Sequence, residues 1–274
     1  MKCMNETRGS RRRSTAVSRV AALLSTLLLM LPAIARSDVL ADTKAALRRL
    51  TGQQPLTATI DLQRSRHSKG RFLNDDFDGT AAVVVELDAN GMRTRYSRQL
   101  LEHAEDEEWA HSLDPARAAG TSETLSEALP VSLENTFDAA RPLLRLLSRG
   151  TLVGQRMEAG SRAIILHLAT TGKPEGGDRT SVTVSDDELT LWVDGQGLPQ
   201  RATRVRKGTA GILFVHVDTV RTESWIYATR GDHLVAMRTD DRSSVSGVGQ
   251  RGEARTLWTA RNVEVPAESS TAAH

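Results

Sequence analysis

Two periodicities alternate along this chain. Leu40, Thr43, Ala46, Leu47 and Leu50 recur at helical spacing, which predicts a short helix over Val39 to Leu50 closed by Gly52. From Leu56 the period drops to two. Ala58, Ile60 and Leu62 alternate with Thr57, Thr59 and Asp61, and Val83, Val85 and Leu87 follow in the same way. Asn90-Gly91 then separates these from Met92, Thr94 and Tyr96, which predicts a hairpin whose two turn residues both take positive φ. Residues 98–113 look helical, and Asp114 to Leu129 reads as an irregular crossing. Leu133, Phe137, Ala140, Leu144 and Leu147 restore the helical period, with Ser132 as N-cap and Gly150 as the stop. Pro142 removes a backbone donor inside that run, so a kink or two short helices are expected near Ala140.

Beyond Gly150 the pattern is one of strands and turns. The expected strands are Thr151–Met157, Arg162–Thr170, Thr180–Ser185, Leu189–Asp194, Leu198–Arg206, Ile212–Arg221, Glu223–Thr229, His233–Thr239 and Glu253–Val265. Ala159-Gly160 and Arg230-Gly231-Asp232 read as tight turns, Gly176-Gly177 as a loop, and Asp187 as an exposed turn residue. Ser243 to Gly249 reads as a flexible connection. Turns this short cannot carry parallel crossovers, so the sheet must be mainly antiparallel. The expectation is an α+β fold: one large curved antiparallel sheet, a half-barrel, with helices packed on its concave face. No linker or repeat divides it, which gives a single domain over 36–265 and a small, polar tail over 266–274 that is expected to be disordered.

Charge changes the picture at the amino end. The chain of 274 residues has 36 basic and 34 acidic side chains, but residues 1–35 hold six basic and one acidic. The remaining 30 basic and 33 acidic groups give residues 36–274 a charge of −3, which offers no nucleic-acid footprint. The basic stretch Arg8–Arg19 precedes an apolar run Val20–Leu31, then Pro32 and Ala33-Ile34-Ala35. That order is a secretory signal peptide cleaved after Ala35, and the run is short for a membrane anchor, the less favoured alternative. The expected compartment is therefore the periplasm. Arg11-Arg12-Arg13 lacks the apolar pair that a twin-arginine signal carries next. Cys3 is the one cysteine and leaves with the signal, so disulfides and thiol chemistry are excluded from the processed chain.

Candidate chemistry is sparse. Asn74-Asp75-Asp76-Phe77-Asp78-Gly79 partly matches a calcium loop, but its twelfth position is Val85 where a bidentate carboxylate is required. His103, Glu107 and His111 share a helix face, yet histidines eight apart lie about 12 Å apart along the axis and cannot share one ion. His67, His167, His216 and His233 fall on strands without a nucleophile or paired acid beside them. We expect no catalytic residue, no metal and no cofactor. More informative are the continuous runs Ile212–Val215 and Ile164–Leu166, which read as strands covered on both faces. Leu133, Phe137 and Leu144 of the helix, with Leu166, Leu213, Phe214 and Val215 of the sheet, are candidate walls of an apolar cavity. With only ten aromatic residues in the chain, aliphatic side chains must fill that space or leave it open.

Leu189-Thr190-Leu191-Trp192-Val193-Asp194-Gly195-Gln196-Gly197-Leu198-Pro199-Gln200-Arg201-Ala202 resembles a segment of the LolA/LolB/RseB-type half-barrels of bacterial envelopes. There a strand ends in Asp, turns, and restarts with Leu-Pro. Asp194 and the glycines suit the turn, and Pro199 is tolerated at a strand start. The long Leu100–Leu129 segment departs from that plan. The resemblance implies a non-enzymatic envelope protein that holds a lipid or lipoprotein acyl chain between sheet and helices. The alternative is a periplasmic protein-interaction or structural module with a filled core and an envelope protein as partner.

Overall fold

A computed structural model describes residues 38–70, 75–170, 180–212, 215–247 and 249–266. Its helices are α1 (Val39–Arg48), α2 (Arg98–Leu113), α3 (Gly120–Leu125), α4 (Pro130–Phe137) and α5 (Ala140–Arg149), with a 3-10 turn at Ser126–Ala128. Its strands are β1 (Leu56–Gly70), β2 (Asp75–Asp88), β3 (Gly91–Arg95), β4 (Gly150–Glu158), β5 (Ser161–Leu168), β6 (Thr180–Val193), β7 (Pro199–Ile212), β8 (Val215–Arg230), β9 (His233–Gly247) and β10 (Gln250–Glu264). They form one ten-stranded sheet in the order β3-β2-β1-β10-β9-β8-β7-β6-β5-β4, antiparallel at every junction. The sheet is open, with β3 and β4 as its edges, as a half-barrel requires. The expected signal segment, the expected loop at Gly176-Gly177 and residues 267–274 lie outside the described residues.

The long helix of the periodicity is two helices. Asp138 and Ala139 separate α4 from α5, and the Ala139 N–H donates to the Leu234 carbonyl of β9 at 3.0 Å. Pro142 then falls in the first turn of α5, where its missing donor has no helical partner to lose. Ser132 lies inside α4, whose N-cap is Leu129 with Pro130 following. Asp114 to Leu129 is more ordered than expected, because α3 lies directly on β2. A Cβ on Gly79 would run into the Gly120 backbone, and one on Gly120 into the Asp78 carbonyl. Gly79 occupies the sixth position of the calcium-like pattern, and close approach of strand to helix explains it. Asp75–Gly79 is part of β2 rather than a loop.

Turn chemistry also differs from the pattern. At Ala89-Asn90 only the following Gly91 takes positive φ (107°). The mirror-image turn is at Ala159 (φ 48°) and Gly160 (φ 82°), between the paired Glu158 and Ser161. Several strands run on past their apolar pattern. Thr180–Ser185 and Leu189–Asp194 merge into β6, with a register shift between Val184 and Asp186. Ser243–Gly247 is the far half of β9, paired to β8 and β10 rather than a flexible connection. Polar cross-strand pairs hold these far halves. Asp240, for example, accepts from Arg255 (2.9 and 2.7 Å) and Arg242 (3.1 and 2.9 Å).

The segment resembling the envelope half-barrels forms as expected. β6 ends at Val193, and Asp194 Oδ1 accepts from the N–H groups of Gln196 (2.8 Å) and Leu198 (2.9 Å) before Pro199 starts β7. Gly197, at φ 81°, lies against the Asp42 backbone of α1.

Register fixes which side chains share a face. Ile164, Leu191, Ala202, Trp225, Thr239, Trp258, Leu62 and Ala81 are successive cross-strand partners from β5 to β2. Two apolar clusters pack on this side. In one, Leu143 and Leu147 of α5 meet Ile164, Leu166, Leu189 and Leu191. In the other, Leu133 and Phe137 of α4 meet Ile60, Leu62 and Val83. Each fully buried Leu or Phe contributes about 2–3 kcal/mol. Ile165, by contrast, is half-buried and His167 exposed, so β5 is covered on one face and the two-sided expectation does not hold there. No helix among the described residues is long and apolar enough to cross a membrane.

Candidate functional site

One step along the strands from the Trp225–Trp258 row, the helix-covered face turns from apolar to charged. Arg204, Glu223, Asp241, Thr256 and Arg64 follow one another as cross-strand partners, and Arg206, Arg221 and Ser243 form the next row. Glu223 thus stands directly opposite Asp241, and Arg206 opposite Arg221. Like charges so placed repel. The stagger of the rows resolves both conflicts diagonally. Arg206 reaches Glu223 at 3.2 Å, and Arg221 reaches Glu223 at 3.5 Å and chelates Asp241. Asp187 takes two hydrogen bonds from Arg204, at 2.8 and 2.6 Å. Burial works against the Arg204 guanidinium, but Asp187 and Glu223 outweigh it and hold its pKa above the ordinary arginine value. The Asp241 carboxylate likewise raises that of Arg221.

Asp187 is therefore buried and ion-paired, not an exposed turn residue. Asp187 is two residues before the buried Leu189 in an unbroken stretch of β6, so alternation puts it on the same inward face, beside Arg204.

Between this floor and the helices lies a cleft of about 680 Å³. Trp225, Tyr227 and Trp258 supply its apolar floor, and Pro142, Leu143 and Leu146 of α5 face them. Arg204, Arg221, Glu223 and Asp241 line its polar side. Burial, with the Glu223 charge adding to it, pushes the Tyr227 phenol well above its usual pKa and keeps it neutral. The size falls within the range of small-molecule sites, about 300–1,000 Å³.

The candidate cavity residues are not gathered around this cleft. Leu133 and Phe137 are buried in one apolar cluster, while Leu166, with Leu144 at its margin, belongs to the other. Leu213 and Phe214 lie outside the described residues. The expected strand Ile212–Arg221 is in fact the end of β7 and the start of β8, with Ile212 paired to Val215. That pair is eight residues along β7 from Arg204, about 26 Å at 3.3 Å per residue. A run of β-forming residues carries no turn signal of its own, so this reversal was not legible. Trp225 and Tyr227, two apart on a strand, were the available sign of an aromatic floor.

The histidines divide as well. His103 contacts Glu107 at 3.1 Å, whereas His111 turns to the Arg117 carbonyl. His233 is buried, with Nε2 2.6 Å from the Gln54 carbonyl and Nδ1 without a partner among the described residues. The Asp138 carboxyl near this region is pushed up by burial.

An open antiparallel sheet carrying helices over an amphipathic cleft defines the class. No protein-family model matches the chain, and no curated protein matches it. Among solved structures it is similar to a DUF1329 family protein from Desulfovibrio piger, with 10% identity over 84% of this chain and 93% of that one, at a TM-score of 0.28. It is also similar to MucB in complex with MucA(peri), with 11% identity, coverage of 81% and 94%, and a TM-score of 0.17. The MucA/MucB complex of Pseudomonas aeruginosa gives 11% identity, the same coverage of 81% and 94%, and a TM-score of 0.15.

Proposed function

We propose that this chain is an exported, non-enzymatic envelope protein that binds an amphipathic ligand, a lipid or acyl group, in the cleft between sheet and helices. The observation that carries the proposal is the abrupt change of character across the cleft floor. Trp225, Tyr227 and Trp258 adjoin a row of charged side chains one strand step away. An acyl chain laid on the aromatic floor gains about 0.8 kcal/mol per buried methylene, and its polar end would meet the Arg and carboxylate row. The non-enzymatic part of the proposal rests on the state of those carboxylates. Glu223 and Asp241 are held by arginines, leaving neither poised as a general base.

Titration with a fluorescent fatty acid tests this. The folded protein should bind it saturably, with quenching of tryptophan emission, and Trp225→Ala with Trp258→Ala should remove most of the binding. If the wild-type protein never binds the probe, the carrier proposal fails and the interaction-module alternative gains.

A further inference from the structure

Helix α2 has apolar side chains on two faces, and the fold uses one of them. Leu100 packs at the margin of the β1–β2 cluster, and Ala104 is the one buried residue of the helix. Glu107 accepts from the Thr121 N–H at 2.7 Å and from its hydroxyl at 3.0 Å, and Glu108 accepts from the Ser122 hydroxyl. Both carboxylates fasten α2 to the first turn of α3, so the helix is braced from behind.

The opposite face is organised differently. Leu101, Glu105, Trp109 and Leu113 follow one another at intervals of four, which aligns them in a single stripe. Leu101 is 49% exposed, Trp109 68% and Leu113 70%. The stripe spans about 18 Å at 1.5 Å per residue. Glu102 and Asp106 flank it. Arg98 is engaged by Glu102 at 2.7 Å, while the carboxylates of Glu105 and Asp106 make no hydrogen bond or ion pair among the described residues. In all, α2 carries five carboxylates and one arginine.

Helix stability does not account for this face. Trp is a poorer helix former than Lys or Gln, and Glu102 and Asp106 are like charges one turn apart. Exposed Trp is instead a residue enriched in binding hot spots, and Leu101 and Leu113 supply the apolar rim that would exclude water around it. We propose that the Leu101–Trp109–Leu113 face docks a cationic amphipathic segment of a protein partner. Apolar side chains of that segment would cover the stripe, and its Lys or Arg side chains would meet Glu105 and Asp106. Complementary charge selects a polypeptide over a bilayer, because anionic lipid headgroups would face the same carboxylates unfavourably. The face lies on the segment that departs from the half-barrel plan, and the proposal stands apart from what the cleft binds.

The test uses the purified protein and a synthetic amphipathic helix of about 18 residues, leucines along one face and lysines on the other. A twin peptide carries glutamates in place of the lysines. The lysine peptide should bind saturably and the twin should not. Trp109→Ser with Leu113→Ser should weaken binding about tenfold or more, as expected of hot-spot side chains. Glu105→Gln with Asp106→Asn should weaken it and flatten its salt dependence. Because all four side chains are exposed, circular dichroism should be unchanged in both variants. Equal binding by wild type and variants would overturn the proposal. So would loss of peptide binding in Trp225→Ala with Trp258→Ala instead, or an association with phosphatidylglycerol vesicles that is tighter than peptide binding and is abolished by Trp109→Ser with Leu113→Ser.

Discussion

Asp187→Ala is the perturbation with the most direct structural arithmetic. The Asp187 side chain is 7% exposed and its Arg204 partner 17%. Removing the carboxylate leaves Arg204 with Glu223 at 3.8 Å, and Glu223 already serves Arg206 and Arg221. Opposite unit charges about 4 Å apart interact by about 4 kcal/mol at an effective dielectric of about 20. The guanidinium remains desolvated when its partner is gone, so the loss of stability should be about 3–5 kcal/mol. Against a total stability of about 5–15 kcal/mol, that is a large fraction. Urea unfolding followed by far-ultraviolet dichroism should show a lower midpoint with an unchanged slope. Asp187→Leu combined with Arg204→Met removes both charges and should recover most of the loss, since an apolar pair of similar volume is often neutral. A change below about 0.5 kcal/mol for Asp187→Ala would refute the reasoning, because that is the behaviour of an exposed turn.

Gly79→Ala should cost about 3 kcal/mol, since its Cβ meets the Gly120 backbone and neither strand nor helix can yield freely. Gly195→Ala, with nothing within 4 Å and no positive φ, should be neutral, and urea unfolding of the two variants checks both values. Ala159→Asn should raise the melting temperature by about 2–4 °C, because Asn tolerates the left-handed conformation that Ala159 holds at φ 48°. Asp232 accepts from the Thr51 hydroxyl and from the N–H groups of Gln53 (2.9 Å) and Gln54 (3.1 Å), tying the β8–β9 turn to the link before β1. Burial raises its pKa, but these bonds outweigh that and leave it below the ordinary value. Its stabilisation is therefore complete above the unfolded aspartate pKa of about 3.9 and fades as pH falls through the lower folded value. Asp232→Asn should be less stable than wild type at neutral pH, with the gap closing in acid; a constant gap would count against the assignment.

Much of the fold was legible because local spacing carries it. The helix over residues 98–113, the turn at Ala159-Gly160 and the Asp194-to-Pro199 reversal formed as their residues predict. Misjudged positions share a cause. Asp187, Ser243–Gly247 and Asp75–Gly79 are polar or small apart from Phe77 and Val245, so local pattern assigned them to turns and loops. They are strand because each extends a longer strand along a paired neighbour, Asp75–Gly79 beside β1, Asp187 beside β7 and Ser243–Gly247 between β8 and β10.

The cleft was harder to see for the same reason. Glu223 and Asp241, eighteen residues apart in the chain, become direct neighbours only through the β8–β9 register. The sequence by itself determined the antiparallel α+β class and the apolar stripes of α1, α4 and α5, since periods of two and 3.6 are properties of neighbouring residues. Only the tertiary structure decided which carboxylate meets which arginine, that Gly79 must touch Gly120, and that Trp225 and Trp258 share a floor. Those depend on register between strands and on the contact of helix with sheet. A shift of one residue would turn every inward side chain outward, and local spacing alone does not set that shift.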